Sequence, residues 1–310
     1  MDTLRIAVLM GGTSSEREVS LKSGANVVRA LDPAKYQVMP VDFTGDIAPL
    51  VALHGQVDVV VLALHGPWGE DGRIQGLLDL LGIPYTGSGV LGSATSMHKG
   101  VAKALYRDAG IPTPGGLEFS VPMADDAVAR ILAHVGLPCV VKPAQEGSTF
   151  GISIVRNDAE LTLALQEAAR YDRALVVEQF IAGIEISVPV LGTAAPWALP
   201  EVEIVPSSGF YDYERKYTPG ASEEFCPARI SATSRLLAAD YAVRAHRALC
   251  CRGVSRTDMI VSTEGIFVLE TNTLPGMTDT SLLPLSARTA GISFAALLDL
   301  LIADAVEAQG

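Results

Sequence analysis

The sequence predicts a chain of mixed class, parallel α/β at the start and α+β thereafter. Three observations carry that reading. The first third alternates apolar strand-length runs with helical periodicity, beginning "RIAVLMGG" and then "SSEREVSLKSGANVVRAL", the pattern of a parallel sheet with crossover helices. The middle places strands side by side with no helix between them, as in "PCVVKPAQ" and "FGISIV". The chain has 310 residues, enough for two or three domains.

Along the first third, Ser15 and Glu18 form a capping-box pattern ahead of the first helix. "YQVMPVDF" and "VDVVVLALHG" read as further strands. "GRIQGLLDLLG" and "VLGSATSMHKGVAKALYRDAG" read as helices, the second ended by Gly110 and Pro112. In the middle, "LTLALQEAARY" is a helix, and "RALVVEQF" and "IEISVPVL" are strands. A polar loop of about twenty residues follows, "PSSGFYDYERKYTPGASEEFCP"; loops of that length in compact domains are uncommon and often functional. After it come a helix, the strands "SRTDMIVS" and "GIFVLE", and a closing amphipathic helix, "ISFAALLDLLIADAVEA".

Composition excludes several classes. Hydrophobic residues make up 49% and charged residues 19%, which suits a packed globule. The net charge of -12, from 23 basic and 35 acidic residues, argues against a nonspecific nucleic-acid binder. The start reads as a strand rather than a signal peptide. No apolar run approaches the roughly 18 residues of a membrane span, so no membrane partner is expected. Cys139, Cys226, Cys250 and Cys251 lack metal spacing, and free thiols in a cytoplasmic protein are expected.

Five stretches carry chemistry. "VVKPAQEGSTFGISIV" puts Lys142 before a glycine- and hydroxyl-containing loop that suits phosphate; an ordinary hairpin turn accounts for it equally. "GGTSSEREVS" places Glu16 beyond the first strand's carboxyl end, where open α/β sheets bind ligands, although a plain helix start has the same composition. "ALHGPWGEDGRIQG" sets His65 beside a glycine-rich loop at the end of another strand. In "SRTDMI" and "LETNTLPGMT", Arg256 and Asp258 alternate on one strand, as Glu270 and Asn272 do on the next. Alternation puts each pair on one face. If the strands pair, three oxygen ligands and a guanidinium gather, a set suited to Mg²⁺ shared with substrate phosphates and to charge developing in a transition state; a surface salt-bridge ladder is the plainer reading. Finally, Glu178 and Glu185 in "VVEQFIAGIEISV" could meet an adenine amino group and ribose hydroxyls.

Together these stretches resemble the D-alanine–D-alanine ligases of the ATP-grasp superfamily. The motifs "GGTSSEREVSLKSG", "HGPWGEDGRIQG", "GIPYTGSGVLGSA", "VVKPAQEGSTFG", "FYDYERKY", "SRTDMI" and "LETNTLPGMT" occur in order over essentially the whole chain. The resemblance implies an ATP-grasp fold with an N-terminal parallel α/β substrate-binding domain at 1–96, a central lid subdomain at 97–184 and a C-terminal catalytic domain at 185–310. It implies ATP-dependent joining of two D-alanines through an acylphosphate, for peptidoglycan precursor synthesis, by a cytoplasmic homodimer. Lys99, Lys142, Gly147, Ser148 and Thr149 would meet the ATP phosphates. Glu178 and Glu185 would hold adenine and ribose, with the Phe180 and Ile181 backbone as the adenine hinge. Asp258, Glu270 and Asn272 would ligate two Mg²⁺ ions, with Mn²⁺ as a substitute. Glu16 would hold the first D-alanine's ammonium and His65 would lie near its carboxylate. Arg256 and the Gly276 amide would stabilise the oxyanion, and Lys216 and Ser281 would meet the second D-alanine's carboxylate. Ser148 and Tyr217 would link to Glu16 and close the loop.

The sequence departs from the family pattern at several positions. His98 stands where Asp is usual, "GSTFG" where "GSSVG" is common, Thr271 where Val is usual, and Arg215 where Ala is common. Three rival readings are a ligase for D-lactate or D-serine, a noncatalytic ATP-binding regulator on the same fold, and a dinucleotide-dependent dehydrogenase. The absence of GxGxxG counts against the last.

Overall fold

The computed structural model describes residues 3–147, 151–206 and 222–309. Three sheets organise it. The first has the order β2-β1-β3, from β1 (Leu4–Gly11), β2 (Tyr36–Phe43) and β3 (Val59–Leu62), all parallel. Helix α1 (Arg17–Ala30) forms the first crossover, and the short α2 (Ala48–Val51) leads into β3. Central β1 is apolar almost throughout and buried from Ile6 onward, as a strand covered on both faces must be. Edge strand β2 is buried at its two ends, largely exposed between them, and tolerates Pro40, because an edge position has no second ladder to feed. Tyr85 extends the sheet through a parallel bridge to Val60, after α3 (Arg73–Leu80).

The next helical stretch departs from expectation. Instead of one helix there are two, α4 (Val90–Met97) and α5 (Lys99–Asp108). His98 between them is extended, with φ -89° and ψ 98°. Its imidazole caps α5 by accepting from Val101 N at 3.4 Å. The Lys99 amide, freed from α4, donates to Ala144 O at 2.9 Å. The start of α5 is thereby tied to the end of a strand in the next sheet. The capping box at Ser15 also fails: α1 begins at Arg17 with Glu16 as its N-cap and no side-chain cap bond.

The second sheet has the order β4-β7-β5-β6 and is antiparallel: β4 (Gly116–Ser120), β5 (Cys139–Pro143), β6 (Ser153–Val155) and β7 (Ala174–Gln179). Helices α6 (Ala127–His134) and α7 (Asp158–Ala168) pack on it over a separate core around Ile131, Leu161 and Leu175. The expected pairing of "PCVVKPAQ" with "FGISIV" is the β5–β6 hairpin.

The third sheet runs β11-β10-β8-β12-β13, with β9 (Trp197–Ala198) added to β8. Its other strands are β8 (Ile184–Leu191), β10 (Val202–Pro206), β11 (Ser222–Phe225), β12 (Val254–Val261) and β13 (Ile266–Asn272). Consecutive β7 and β8 therefore belong to different sheets, and Phe180–Gly183 carries the chain between them. Strand β11 lies inside the stretch expected to be loop, because β10 offers it a free edge. Helix α8 (Ala232–Ala248) packs its small face, Ala238, Ala242 and Ala245, against this sheet. Helices α9 (Leu282–Thr289) and α10 (Phe294–Gln309) close the chain. Leu297, Leu298, Leu301 and Ile302 of α10 share a core with Ile6 and Val8 of β1, so the end of the chain seals the first sheet. Among the described residues no single helix is long and apolar enough to cross a membrane. All four cysteines are free.

Candidate active site

A cleft lined by residues of all three sheets and their connections lies between them. Its floor is the β12–β13 ladder. Arg256 pairs with Asn272 and Asp258 with Glu270, in antiparallel register, with a bulge after Asp258. All four side chains line the cleft, as alternation on two paired strands requires. Arg256 bridges Asp258 at 2.9 Å, and Ser187 Oγ donates to Asp258 Oδ1 at 2.5 Å. Lys99 lies 3.4 Å from Glu270 and donates to Glu146 O at 2.6 Å. Asn272 Oδ1 accepts from Leu274 N at 2.8 Å, which fixes the turn after β13.

The back of the same ladder is held by hydroxyls. Thr257 and Thr271 face each other at 3.0 Å, and Tyr106 of α5 donates to Thr271 at 2.8 Å. Thr271, where Val is usual, thus joins the ladder to the helix that carries Lys99.

Glu16 is buried at the end of β1. A Cβ on Gly66 would stand 2.9 Å from its carboxylate and one on Gly147 2.8 Å. Glycine at both places lets the backbones of two different sheets close around one carboxyl group. Glu70, also buried, accepts from Gly66 N at 2.5 Å. Burial and the neighbouring Glu16 charge push its pKa up to about 8. Burial likewise raises Glu146. The cleft is therefore crowded with carboxyl groups, a crowding that a bound cation would relieve.

His65 is buried and its pKa is lowered by burial, with Glu16 opposing. The neutral ring donates from Nδ1 to Leu274 O at 3.1 Å and accepts at Nε2 from Ser23 Oγ, also at 3.1 Å. Ser23 in turn accepts from Met277 N at 3.3 Å. Both ring nitrogens are thus committed to joining α1 to the turn after β13. Ser23 has no signal in the sequence beyond its place on an apolar helix face.

That turn carries Gly276 and Ser281. Ser281 is the N-cap of α9, and its Oγ accepts from Thr278 N at 3.0 Å and meets Thr278 Oγ1 at 2.7 Å. A Cβ on Gly276 would lie 2.7 Å from Ser281 Oγ. Glycine there lets the turn pass this close to the serine hydroxyl.

The expected nucleotide residues divide into two groups. Glu185, at the start of β8, and Gly147 line the cleft. Lys142 and Glu178 lie behind it in the second sheet, where Lys142 Nζ is 2.5 Å from Glu178 Oε1. Lys103 joins them, 2.6 Å from Oε2. Burial raises the Glu178 carboxyl, but the two lysines outweigh it and hold its pKa below the usual range. Lys103 is one helical turn beyond Lys99 on α5, so i,i+4 spacing could have disclosed it. Phe180 N donates to Pro138 O at 3.1 Å, which anchors the crossing between the sheets. Ser148, Thr149, Lys216 and Tyr217 lie outside the described residues, as do Phe150 and Arg215.

Among the described residues no three His, Cys, Asp or Glu side chains cluster as a metal set. The expected set differs from that pattern, having two carboxylates and an amide. All are oxygen donors on adjoining ladder positions, the donor chemistry of a Mg²⁺ site completed by phosphates.

An antiparallel sheet and a second, mixed-length antiparallel sheet that together line an acidic cleft, with buried lysines behind it, make the architecture of an ATP-grasp ligase. The family model for the D-ala D-ala ligase C-terminus matches residues 105–303, and the N-terminus model matches 5–52 and 49–88. The chain is 53% identical to the D-alanine–D-alanine ligase of Syntrophobacter fumaroxidans over 310 residues, covering 99% of each chain. The structure superposes on that of the Bacillus anthracis D-alanine–D-alanine ligase complexed with ATP with a TM-score of 0.86, at 34% identity and 99% coverage of both chains. For the VanG D-Ala:D-Ser ligase of Enterococcus faecalis the TM-score is 0.88, at 34% identity, with 97% of this chain and 99% of that one covered. The chain belongs to the D-alanine–D-alanine ligase family.

Proposed function

We propose that this enzyme joins two D-alanines to D-alanyl-D-alanine at the expense of ATP, in the cytoplasm, as a step toward peptidoglycan precursors. The observation that carries this reading is the gathering of Arg256, Asp258, Glu270 and Asn272 on one face of β12–β13, in a cleft shared with Glu16 and Ser281. A carboxylate oxygen of the first D-alanine attacks the γ-phosphorus, the bond to the ADP oxygen breaks, and an acylphosphate forms. The amine of the second D-alanine then adds to the acyl carbon. The tetrahedral intermediate expels phosphate, the amine loses a proton, and the peptide bond remains.

Each side chain has a task in this sequence. Glu16, among raised-pKa carboxyl neighbours, receives the first D-alanine's ammonium. His65, neutral and clamped, shapes the wall beside its carboxylate. Arg256 and the Gly276 amide meet the oxyanion, where preorganised donors count most. Ser281 Oγ receives the second substrate's carboxylate, joined by Lys216. Lys99, Lys142 and the loop from Gly147 through Ser148 and Thr149 take the phosphates. Glu178, Glu185 and the Phe180–Ile181 backbone take adenine and ribose. Ser148 and Tyr217 tie the covering loop to Glu16, which keeps water from the acylphosphate. Asp258, Glu270 and Asn272 would hold two Mg²⁺ ions, or Mn²⁺, which would neutralise phosphate charge and orient the γ-phosphoryl group. A homodimer is part of the same reading.

Phosphate release from Mg-ATP, measured with and without D-alanine and followed by identification of the dipeptide, tests the proposal. Turnover is expected with D-alanine and not with L-alanine. D-serine and D-lactate are run in parallel. Absence of D-alanine-dependent turnover would overturn the enzyme reading, and faster mixed-product formation with D-serine would reassign the second substrate.

A further inference from the structure

The triad beneath the lid sheet contains one lysine more than the proposed nucleotide contacts use. Lys103, Lys142 and Glu178 are 3%, 5% and 2% exposed. One carboxylate stands between two ammonium groups, at 2.5 Å and 2.6 Å. Lys103 comes from the interior of α5, and its Nζ also donates to Thr113 Oγ1 at 2.9 Å. It is pinned from two sides. Lys142 stands near the end of β5, five residues before Gly147, where the strand runs toward the loop proposed to take the phosphates. The two lysines also titrate differently. Burial lowers Lys103 to about 8, opposed by Glu178. Burial acts on Lys142 as well, but Glu178 and Glu270 outweigh it and raise its pKa.

The two oxygens of Glu178 have different partners. Oε1 is 2.5 Å from Lys142. Oε2 is buried and is held by the Lys103 ammonium at 2.6 Å. A carboxylate oxygen has about two lone-pair sites, so Oε2 can accept a second donor such as an exocyclic amino group. That requires the carboxylate to remain charged and fixed when nucleotide arrives. If Lys142 turns to the phosphates, it removes one counter-charge from a buried anion, and a buried charge left unpaired is costly.

We propose that Lys103 is a positioning residue for the nucleotide, which keeps Glu178 ionised and in place while Lys142 exchanges that carboxylate for phosphate. The inference rests on the reading that Glu178 meets the base and Lys142 the phosphates. It assigns Lys103 to recognition of the base and Lys142 to chemistry, though both bind the same carboxylate before nucleotide enters.

Steady-state kinetics with ATP and with ITP, whose base lacks the amino donor, separates these roles. Lys103→Met is expected to raise the KM for ATP about tenfold or more, the worth of one charge-assisted hydrogen bond. It should also shrink the preference for ATP over ITP and leave the KM for D-alanine nearly unchanged. Lys142→Met is expected to lower kcat and keep the ATP-over-ITP preference. Glu178→Gln is the control for the underlying reading: if it leaves the base preference intact, the assignment of Glu178 to adenine falls. If Glu178→Gln alters the preference but folded Lys103→Met does not, the role of Lys103 falls alone. A crystal structure of the unmutated enzyme with a non-hydrolysable ATP analogue decides the matter even if Lys103→Met does not fold. Lys103 is expected to remain on Glu178 while Lys142 lies on phosphate; Lys142 still on Glu178, or Lys103 withdrawn from it, would overturn the proposal.

Discussion

Two charged clusters belong to the proposed site, and they are built differently. The β12–β13 ladder exposes Arg256, Asp258, Glu270 and Asn272 to an open cleft. The triad of Lys103, Lys142 and Glu178 is closed, and its charges neutralise one another. The ladder cluster borders the cleft, with Glu270 partly exposed and Arg256 already paired with Asp258, so it carries less unbalanced buried charge before any cation arrives. The closed cluster is stable only while its charges stay paired. Function is therefore expected to be separable from stability at the ladder and inseparable from it in the triad.

The largest expected effect tests the closed side. Glu178→Ala leaves two buried ammonium groups without their carboxylate and is expected to cost about 3–5 kcal/mol of stability, read from denaturant unfolding. A loss below about 1 kcal/mol would mean that water enters the triad freely. On the open side, Arg256→Ala is expected to lower kcat about 10²–10³-fold while unfolding changes much less than in Glu178→Ala. Equal destabilisation in the two variants would abolish the distinction. Glu270→Ala and Asn272→Ala are expected to abolish turnover with the fold intact, and near-normal activity in either removes that residue from the metal set.

A smaller effect probes the back of the ladder. Thr271→Val leaves the Tyr106 hydroxyl without its acceptor and is expected to cost about 1–3 kcal/mol, with kcat altered less than in Arg256→Ala. A further test on the open side is a pH effect at Glu70, which is buried beside the cleft. Its folded pKa, about 8, lies above the ordinary value of 4.5. The folded state therefore binds the proton more tightly, and the resulting stability is present below 4.5 and lost as pH rises through about 8. Melting temperatures from pH 5 to 9 should fall more steeply for the unmutated protein than for Glu70→Gln; parallel curves would show Glu70 already ionised at neutral pH.

Much of this site could be read from local pattern. Alternation placed Arg256 with Asp258 and Glu270 with Asn272, and register then superposed the two pairs. The glycines at Gly147 and Gly276 were visible as letters, but their reason, carboxylate and hydroxyl oxygens within 2.8 Å and 2.7 Å of a would-be Cβ, was not. The break at His98 was hidden because helical periodicity runs through it; the bond from Lys99 N to Ala144 O that rewards the break comes from a distant strand. Strand β11 was hidden for a similar reason, since a polar segment becomes a strand when a neighbouring edge needs partners.

By itself the sequence determined the class of fold, the order of most strands and helices, and the residue types proposed to handle phosphate, metal and carboxylate. These follow from periodicities of 2 and 3.6 and from side-chain chemistry, which act over a few residues. Only the tertiary structure decided that one buried carboxylate serves two lysines, that His65 spends both nitrogens on protein partners, and that Ser23 and Thr271 hold the site from behind. Those partnerships join residues from different elements, and burial, which sets their energies, exists only once the sheets have packed.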